Sequence, residues 1–255
     1  MRYASLAAIA VFTLSACNSA TAEQEPAAEA TADASSAIAD AVADPLRPEQ
    51  DKERDANRKP AQIVEFAGVK PGDVVAEIAP GGGYYTRILA KAVGPEGHVY
   101  AMMPEFFANR PGGLDGINAL AAQYPNVTVV TADFTDFTLD QPVDLVWTTE
   151  NYHDFHNGPT ANIAGVDASV FKALKPGGIF FVEDHSAPGT GTDATQTLHR
   201  IDPAAVIEEV TAAGFELDGQ SDILANPDDP HDVGVRDPSV AGKTDKFALR
   251  FKKPE

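Results

Sequence analysis

The strongest constraint on this chain is an alternation that runs through most of its length. Seven short, mainly apolar runs fall at residues 74–79, 98–102, 127–131, 143–148, 179–183, 215–217 and 247–251. Helix-like stretches at 84–93, 114–123, 164–174 and 203–213 separate most of them, and turns such as Pro71-Gly72-Asp73 and Pro95-Glu96-Gly97 mark the joins. A short apolar run bounded by Gly and Pro suits a strand buried on both faces. Strand and helix in alternation imply a mostly parallel sheet covered by helices on both sides, a three-layer α/β architecture. No helix separates the last two runs, so they are expected to pair antiparallel across a long loop.

The domain that carries this pattern is expected to span residues 45–255. Before it, residues 6–14 form an apolar stretch behind Arg2, too short to cross a bilayer and suited to an export signal. It ends in Leu14-Ser15-Ala16-Cys17, which resembles the lipobox of bacterial lipoproteins. That resemblance implies removal of residues 1–17, a lipid on Cys17 and a periplasm-facing protein whose only membrane attachment is that anchor. Cys17 is the only cysteine, so no internal disulfide is possible. Residues 18–44 are rich in Ala and acidic side chains, with Ile38 and Val42 their only large aliphatics, and are expected to form a flexible tether. Residues 47–58, rich in charge, are expected as a surface helix. The formal net charge of −19 repels phosphate backbones, which argues against nucleic acid as a partner.

Glu77-Ile78-Ala79-Pro80-Gly81-Gly82-Gly83-Tyr84 joins the first run to the next helix. Glycines there let the backbone approach a ligand where side chains would collide. The segment resembles the first motif of class I S-adenosylmethionine-dependent methyltransferases, acidic-x-G-x-G-x-G. Gly81 and Gly83 match its second and third glycines and Glu77 its acidic residue, with Ala79 in place of the first glycine. Asp133 after the third run, Asp144 opening the fourth and Leu174-Lys175-Pro176-Gly177-Gly178 before the fifth extend the likeness. It implies a Rossmann-like methyltransferase fold, a mostly parallel seven-stranded sheet with an antiparallel C-terminal strand. It further implies S-adenosylmethionine as cofactor, held by Glu77, Ala79, Gly81, Gly83 and Asp133. At the end of the second run, where the family has an acid for the ribose hydroxyls, stands Met103; Glu105 is the nearest substitute. The whole domain is also similar to a group of bacterial predicted methyltransferases, through Asn151-Tyr152-His153-Asp154, Leu198-His199-Arg200-Ile201-Asp202 and Gly242-Lys243-Thr244-Asp245.

Ligands of an open α/β sheet bind beyond the carboxyl ends of its strands. Four of the six histidines, His153, His156, His185 and His199, fall on loops expected there. His153-Asp154-Phe155 resembles the His-Asp-Trp element of small-molecule O-methyltransferases, whose histidine is the general base. An imidazole near its ordinary pKa can take a hydroxyl proton at neutral pH. His153 is therefore the expected base, with Asp154 and His185 beside it and Asp154 or Asp184 as its orienter. No metal site is assigned, although His153, His156, Asp184 and His185 are ligand types and leave a metal-assisted reaction open. The long segment at 226–243 is expected to face the same side as a lid. The sequence thus points to methyl transfer to a small-molecule oxygen acceptor. The other readings are an exported binding protein that keeps the fold without catalysis, and a different reaction at the His153/His156/His185 cluster.

Overall fold

The computed structural model describes Met1 and residues 26–158 and 161–255. The expected export signal, with Cys17, and the first part of the expected tether lie outside these residues. Among the described residues no helix is long and apolar enough to cross a membrane.

In chain order the elements begin with α1 (Pro26–Val42), α2 (Glu49–Lys52), α3 (Asp55–Arg58), α4 (Pro60–Ala67), β1 (Val74–Ile78) and α5 (Tyr84–Val93). They continue through β2 (His98–Pro104), α6 (Glu105–Ala108), α7 (Asp115–Ala121), β3 (Val127–Ala132) and β4 (Val143–Thr149). A 3₁₀ turn (Tyr152–His156) precedes α8 (Ile163–Ala173) and β5 (Leu174–His185). Then come α9 (Thr195–Leu198), α10 (Pro203–Ala212), β6 (Glu216–Ser221) and β7 (Lys246–Lys252). The strands form one sheet in the order β3-β2-β1-β4-β5-β7-β6. β1 to β5 pair in parallel, and β7 enters antiparallel between β5 and β6. The expected architecture is the one observed, including the antiparallel closing pair.

Both faces of the sheet are covered because its strands are apolar on both sides. Val75, Val99, Leu145, Trp147 and Phe181 pack with α1, α4, α5 and α7 on one face. Ala76, Met102, Val146, Phe180 and Phe251 pack with α8 and α10 on the other. Boundaries shift in one place: β5 starts at Leu174, ahead of the Pro-Gly-Gly turn expected to precede it. Pairing with β4 slips between Val143↔Leu174 and Leu145↔Ile179, so Pro176-Gly177-Gly178 is absorbed as an irregularity of the strand edge.

The N-terminal region departs from expectation. Residues 26–42, expected as part of a tether, form α1, which lies against α4 and α5. Ala34, Ala37, Ile38, Ala41 and Val42 recur at helical spacing, and Ile38 and Ala41 are buried. Small alanines allow close approach, so two large aliphatics suffice. Residues 47–58 form two short helices instead of one, and they carry buried charge. Arg47 donates to Asp55 at 2.5 and 2.9 Å, Tyr84 donates its hydroxyl to Asp55 at 2.6 Å, and Arg87 meets Asp51 at 3.3 Å. These bonds fix the N-terminal segment to the first turn of α5.

Ile38→Ala is expected to cost about 2–4 kcal/mol of unfolding free energy, as for a buried aliphatic truncated in a packed interface. Denaturant unfolding of the full chain measures it. A tether would show no loss.

Candidate functional site

The turn after β1 has two sides with different uses. A Cβ built at Gly83 would meet Leu120 Cδ1 at 2.2 Å, so Gly83 serves the packing of α5 on α7. A Cβ built at Gly81 or Gly82 meets nothing within 4 Å, and the backbone there faces open space. Gly81 also has φ +57°, which favours glycine. Ala79 adopts φ +53°, an unusual state for a residue with a Cβ. Its N–H donates to Met102 O at 2.9 Å and its carbonyl accepts from Asn151 Nδ2 at 3.2 Å.

Behind this turn Glu77 is wholly buried, and burial pushes its carboxyl up to about 7. Its Oε2 has no hydrogen-bond partner among the described residues. At the ends of the neighbouring strands, Glu105 opens α6 and is exposed, and Asp133 is exposed and accepts from Thr135 N and Oγ1 at 2.9 and 2.8 Å. Met103 is buried in the α5-side core, so it takes no part in this edge. Bare backbone, an orphaned buried carboxylate oxygen and two exposed carboxylates, at the carboxyl ends of three adjacent strands, form a donor and acceptor set that fits an adenosyl-amino-acid ligand.

On the other side of β1, across β4, lies a cavity of about 380 Å³ lined in part by Arg58, Glu150, His153, Asp154, His185 and His199. Its central contact is His153 against Asp184. The His153 ring bonds through Nδ1 to Asp184 Oδ1 at 2.8 Å, and its backbone N–H donates to Oδ2 at 2.8 Å. His185 N adds a third donor to the same carboxylate at 2.7 Å. Because an ionised carboxylate only accepts, Nδ1 carries a proton and Nε2 is the atom turned outward. Nε2 lies 3.3 Å from Asp154 Oδ1 and 3.3 Å from His199 Nδ1.

Burial alone would lower the His153 pKa, but Asp184, with help from Asp154, holds it up at about 10. This corrects the expectation of an imidazole near its ordinary value: without a competing cation the ring is already protonated at neutral pH. His185 is the reverse case, pushed down to about 4 by burial, with Nδ1 on Thr244 Oγ1 at 2.8 Å. His156 is directed elsewhere, bonding to Glu209 at 2.9 Å. The histidine cluster considered from the sequence therefore divides. His153 keeps Asp154 and Asp184 and gains His199, while His156 takes another partner and His185 sits behind.

Sequence reading also missed the floor of the cavity. Burial would raise the Glu150 carboxyl, yet Arg58 and Lys246 hold it down at about 2. Arg58 bonds to its Oε2, and Lys246 Nζ lies 3.2 Å from Oε1. No local motif signals this pairing, since the three residues come from α3, the loop after β4, and β7. The segment expected as a lid does contribute Val235, Arg236 and Gly242 to the wall, and Thr244 follows just beyond it. It is pinned, however. Arg200 makes two bonds to Asp229, at 2.9 and 3.0 Å, and both side chains are fully buried. Losing one partner of such a pair leaves an uncompensated buried charge.

Comparison with known proteins bears on the fold. No family model matches the chain. The protein-L-isoaspartate O-methyltransferase of Ignicoccus hospitalis is 34% identical over 132 residues, 51% of this chain and 55% of that protein. The chain thus spans about half the length of the curated relative it matches. Among solved structures, a SAM-dependent methyltransferase from Aquifex aeolicus superposes with a TM-score of 0.56 at 17% identity, covering 81% of this chain and 98% of that one. The glycopeptide N-methyltransferase MtfA in complex with S-adenosylmethionine gives 0.53 at 17% identity, over 76% and 87%. The [4+2]-cyclase SpnF gives 0.57 at 19% identity, over 78% and 81%. The fold is that of class I S-adenosylmethionine-dependent methyltransferases, and it also carries other chemistry.

The raised pKa of Glu77 has a thermodynamic consequence. The folded state holds that proton more tightly than the unfolded chain, so stability falls as pH rises from about 4.5 to about 7. Glu77→Gln removes this contribution. Relative to wild type, the variant should gain about 1–3 kcal/mol between pH 4.5 and pH 8 in denaturant unfolding. A difference that does not change with pH would contradict the assignment.

Proposed function

We propose that this chain is an S-adenosylmethionine-dependent methyltransferase whose acceptor is a small molecule with a reactive oxygen. The observation that carries this reading is the open backbone at Gly81 and Gly82, one strand away from a cavity lined by His153, Asp154 and His199. The curated O-methyltransferase relative and the cofactor-bound neighbour support it. Gly81 and Gly82 would receive the adenosyl-amino-acid body, with Glu77 behind it and Glu105 and Asp133 toward its polar edges. Bound there, the cofactor supplies an electrophilic methyl group.

Everything else falls to the chain. Substitution at a methyl carbon depends chiefly on alignment, and rigid walls supply it. Asn151 Nδ2 donates to both Ala79 O and Thr149 O, at 3.2 and 2.6 Å, and so joins the glycine turn to the acceptor-side loop. The acceptor hydroxyl is read as facing His153 Nε2, since Asp184 fixes the opposite ring nitrogen. His153, protonated at rest, donates to the acceptor oxygen, and the Asp154 carboxylate 3.3 Å from Nε2 is the group placed to take the acceptor's proton. Arg58 and Lys246, both paired to Glu150, set the charge of the floor.

Gly82 gives a clean test, because its φ is ordinary and a Cβ there meets nothing within 4 Å. Calorimetric titration of the full chain is expected to show S-adenosylmethionine binding with a Kd of about 1 μM to 1 mM. Gly82→Val should weaken it by about tenfold or more, equivalent to about 1.4 kcal/mol, with the melting temperature almost unchanged. No saturable binding, or equal affinity in the variant, would remove the cofactor assignment and leave a fold used for other binding.

A further inference from the structure

We propose that His153, Asp154 and His199 form a binding site for one divalent transition-metal ion of the zinc type, open on its cavity side to the acceptor oxygen. The role given to the acceptor rests on the function proposed above; the cation site itself does not.

The geometry is that of three ligands prepared for one centre. His153 Nε2, His199 Nδ1 and Asp154 Oδ1 lie 3.3 Å from one another along all three edges. Each edge is longer than a good charge-assisted hydrogen bond, so no single pair accounts for the arrangement. The corners of such a triangle are about 1.9 Å from its centre. A cation about 0.8 Å out of the plane would therefore reach all three atoms at about 2.0–2.1 Å, the usual length of zinc–nitrogen and zinc–oxygen bonds. Three protein ligands with the fourth position vacant is the arrangement of catalytic rather than structural zinc.

The support behind the triangle points the same way. A metal-bound histidine commonly gives its other N–H to a carboxylate, and Asp184 stands at 2.8 Å from His153 Nδ1 with no exposure to solvent. His199 is held at φ +54°, a costly backbone state outside glycine. The neighbouring residue Arg200 keeps it there through the buried bonds to Asp229. Asp154 and His199 are about half exposed, and their ligand atoms meet at the cavity wall. The cationic groups of the floor, Arg58 and Lys246, are engaged by Glu150. A cation in this triangle would act as a Lewis acid on an acceptor hydroxyl, whose proton leaves to water. It removes the need for His153 to act as a free base. The ligand set also differs from the one considered on sequence, since His156 and His185 stand outside it.

The test is titration of Co²⁺, then Zn²⁺, into the chelator-treated full chain without cofactor, followed by visible absorption. One equivalent of Co²⁺ should give ligand-field bands that Zn²⁺ abolishes. His199→Gln and Asp154→Asn should each weaken binding at least tenfold, and Asp184→Asn by about 10–100-fold. His156→Gln should bind as wild type does. Should a ligand variant fail to fold, zinc-edge X-ray absorption of the wild-type chain counts its imidazoles, with two expected. No stoichiometric binding, fewer than two imidazoles, or undiminished affinity in His199→Gln would overturn the site. Because these readouts exclude S-adenosylmethionine, the two assignments fail separately. Metal binding without cofactor binding removes only the methyltransferase reading, and the converse removes only this one.

Discussion

The parallel pairing of β1 with β4 is the contact on which the rest depends. Val75↔Leu145 through Ile78↔Thr148 brings two loops that are 70 residues apart in the chain out of the sheet side by side. One is the bare glycine turn and the other is the loop that carries His153. Asn151 then fixes their spacing with bonds to Ala79 and Thr149. A one-residue slip would turn every side chain of β4 to the wrong face, so the apolar core on both sides holds the register. The geometry of the site follows from the packing of the sheet.

Around that junction the protein places charge where burial makes it costly. Asp184, Glu150, Glu183 and Glu77 are all removed from most solvent, and each is handled differently. Asp184 takes three N–H donors, and Glu150 takes Arg58 and Lys246. Burial raises the pKa of Glu183; Tyr85 donates its hydroxyl to Oε2 at 3.4 Å, and Oε1 has no hydrogen-bond partner among the described residues. Glu77 keeps an oxygen without a partner among the described residues. Buried carboxylates with full sets of donors make rigid walls, and those without them mark places where a ligand can complete the set. Asp184 and Glu150, of the first kind, border the acceptor cavity, and Glu77, of the second, stands behind the glycine turn.

Much of this was legible in the sequence, for identifiable reasons. Strands buried on both faces read as unbroken apolar runs, and the glycine turn, the seven strands and the antiparallel closing pair were all located. The side of the sheet that collects the histidines could also be read. The docking of α1 could not, because its stripe is mostly alanine and its value depends on how closely α5 can approach. His199 was visible as a loop histidine, but its meeting with His153 needs the β5–α9 connection, which no local pattern specifies. The proton affinity of His153 was misjudged for the same reason. It is set by Asp184, 31 residues away in sequence.

A crystal structure of the full chain with S-adenosylhomocysteine would test the central claim most directly. The account predicts the nucleoside against the backbone of Gly81 and Gly82, on the β3 side of β4, with the His153 cavity left free for an acceptor. A nucleoside bound elsewhere, or a turn closed over by protein with no room for one, would contradict it.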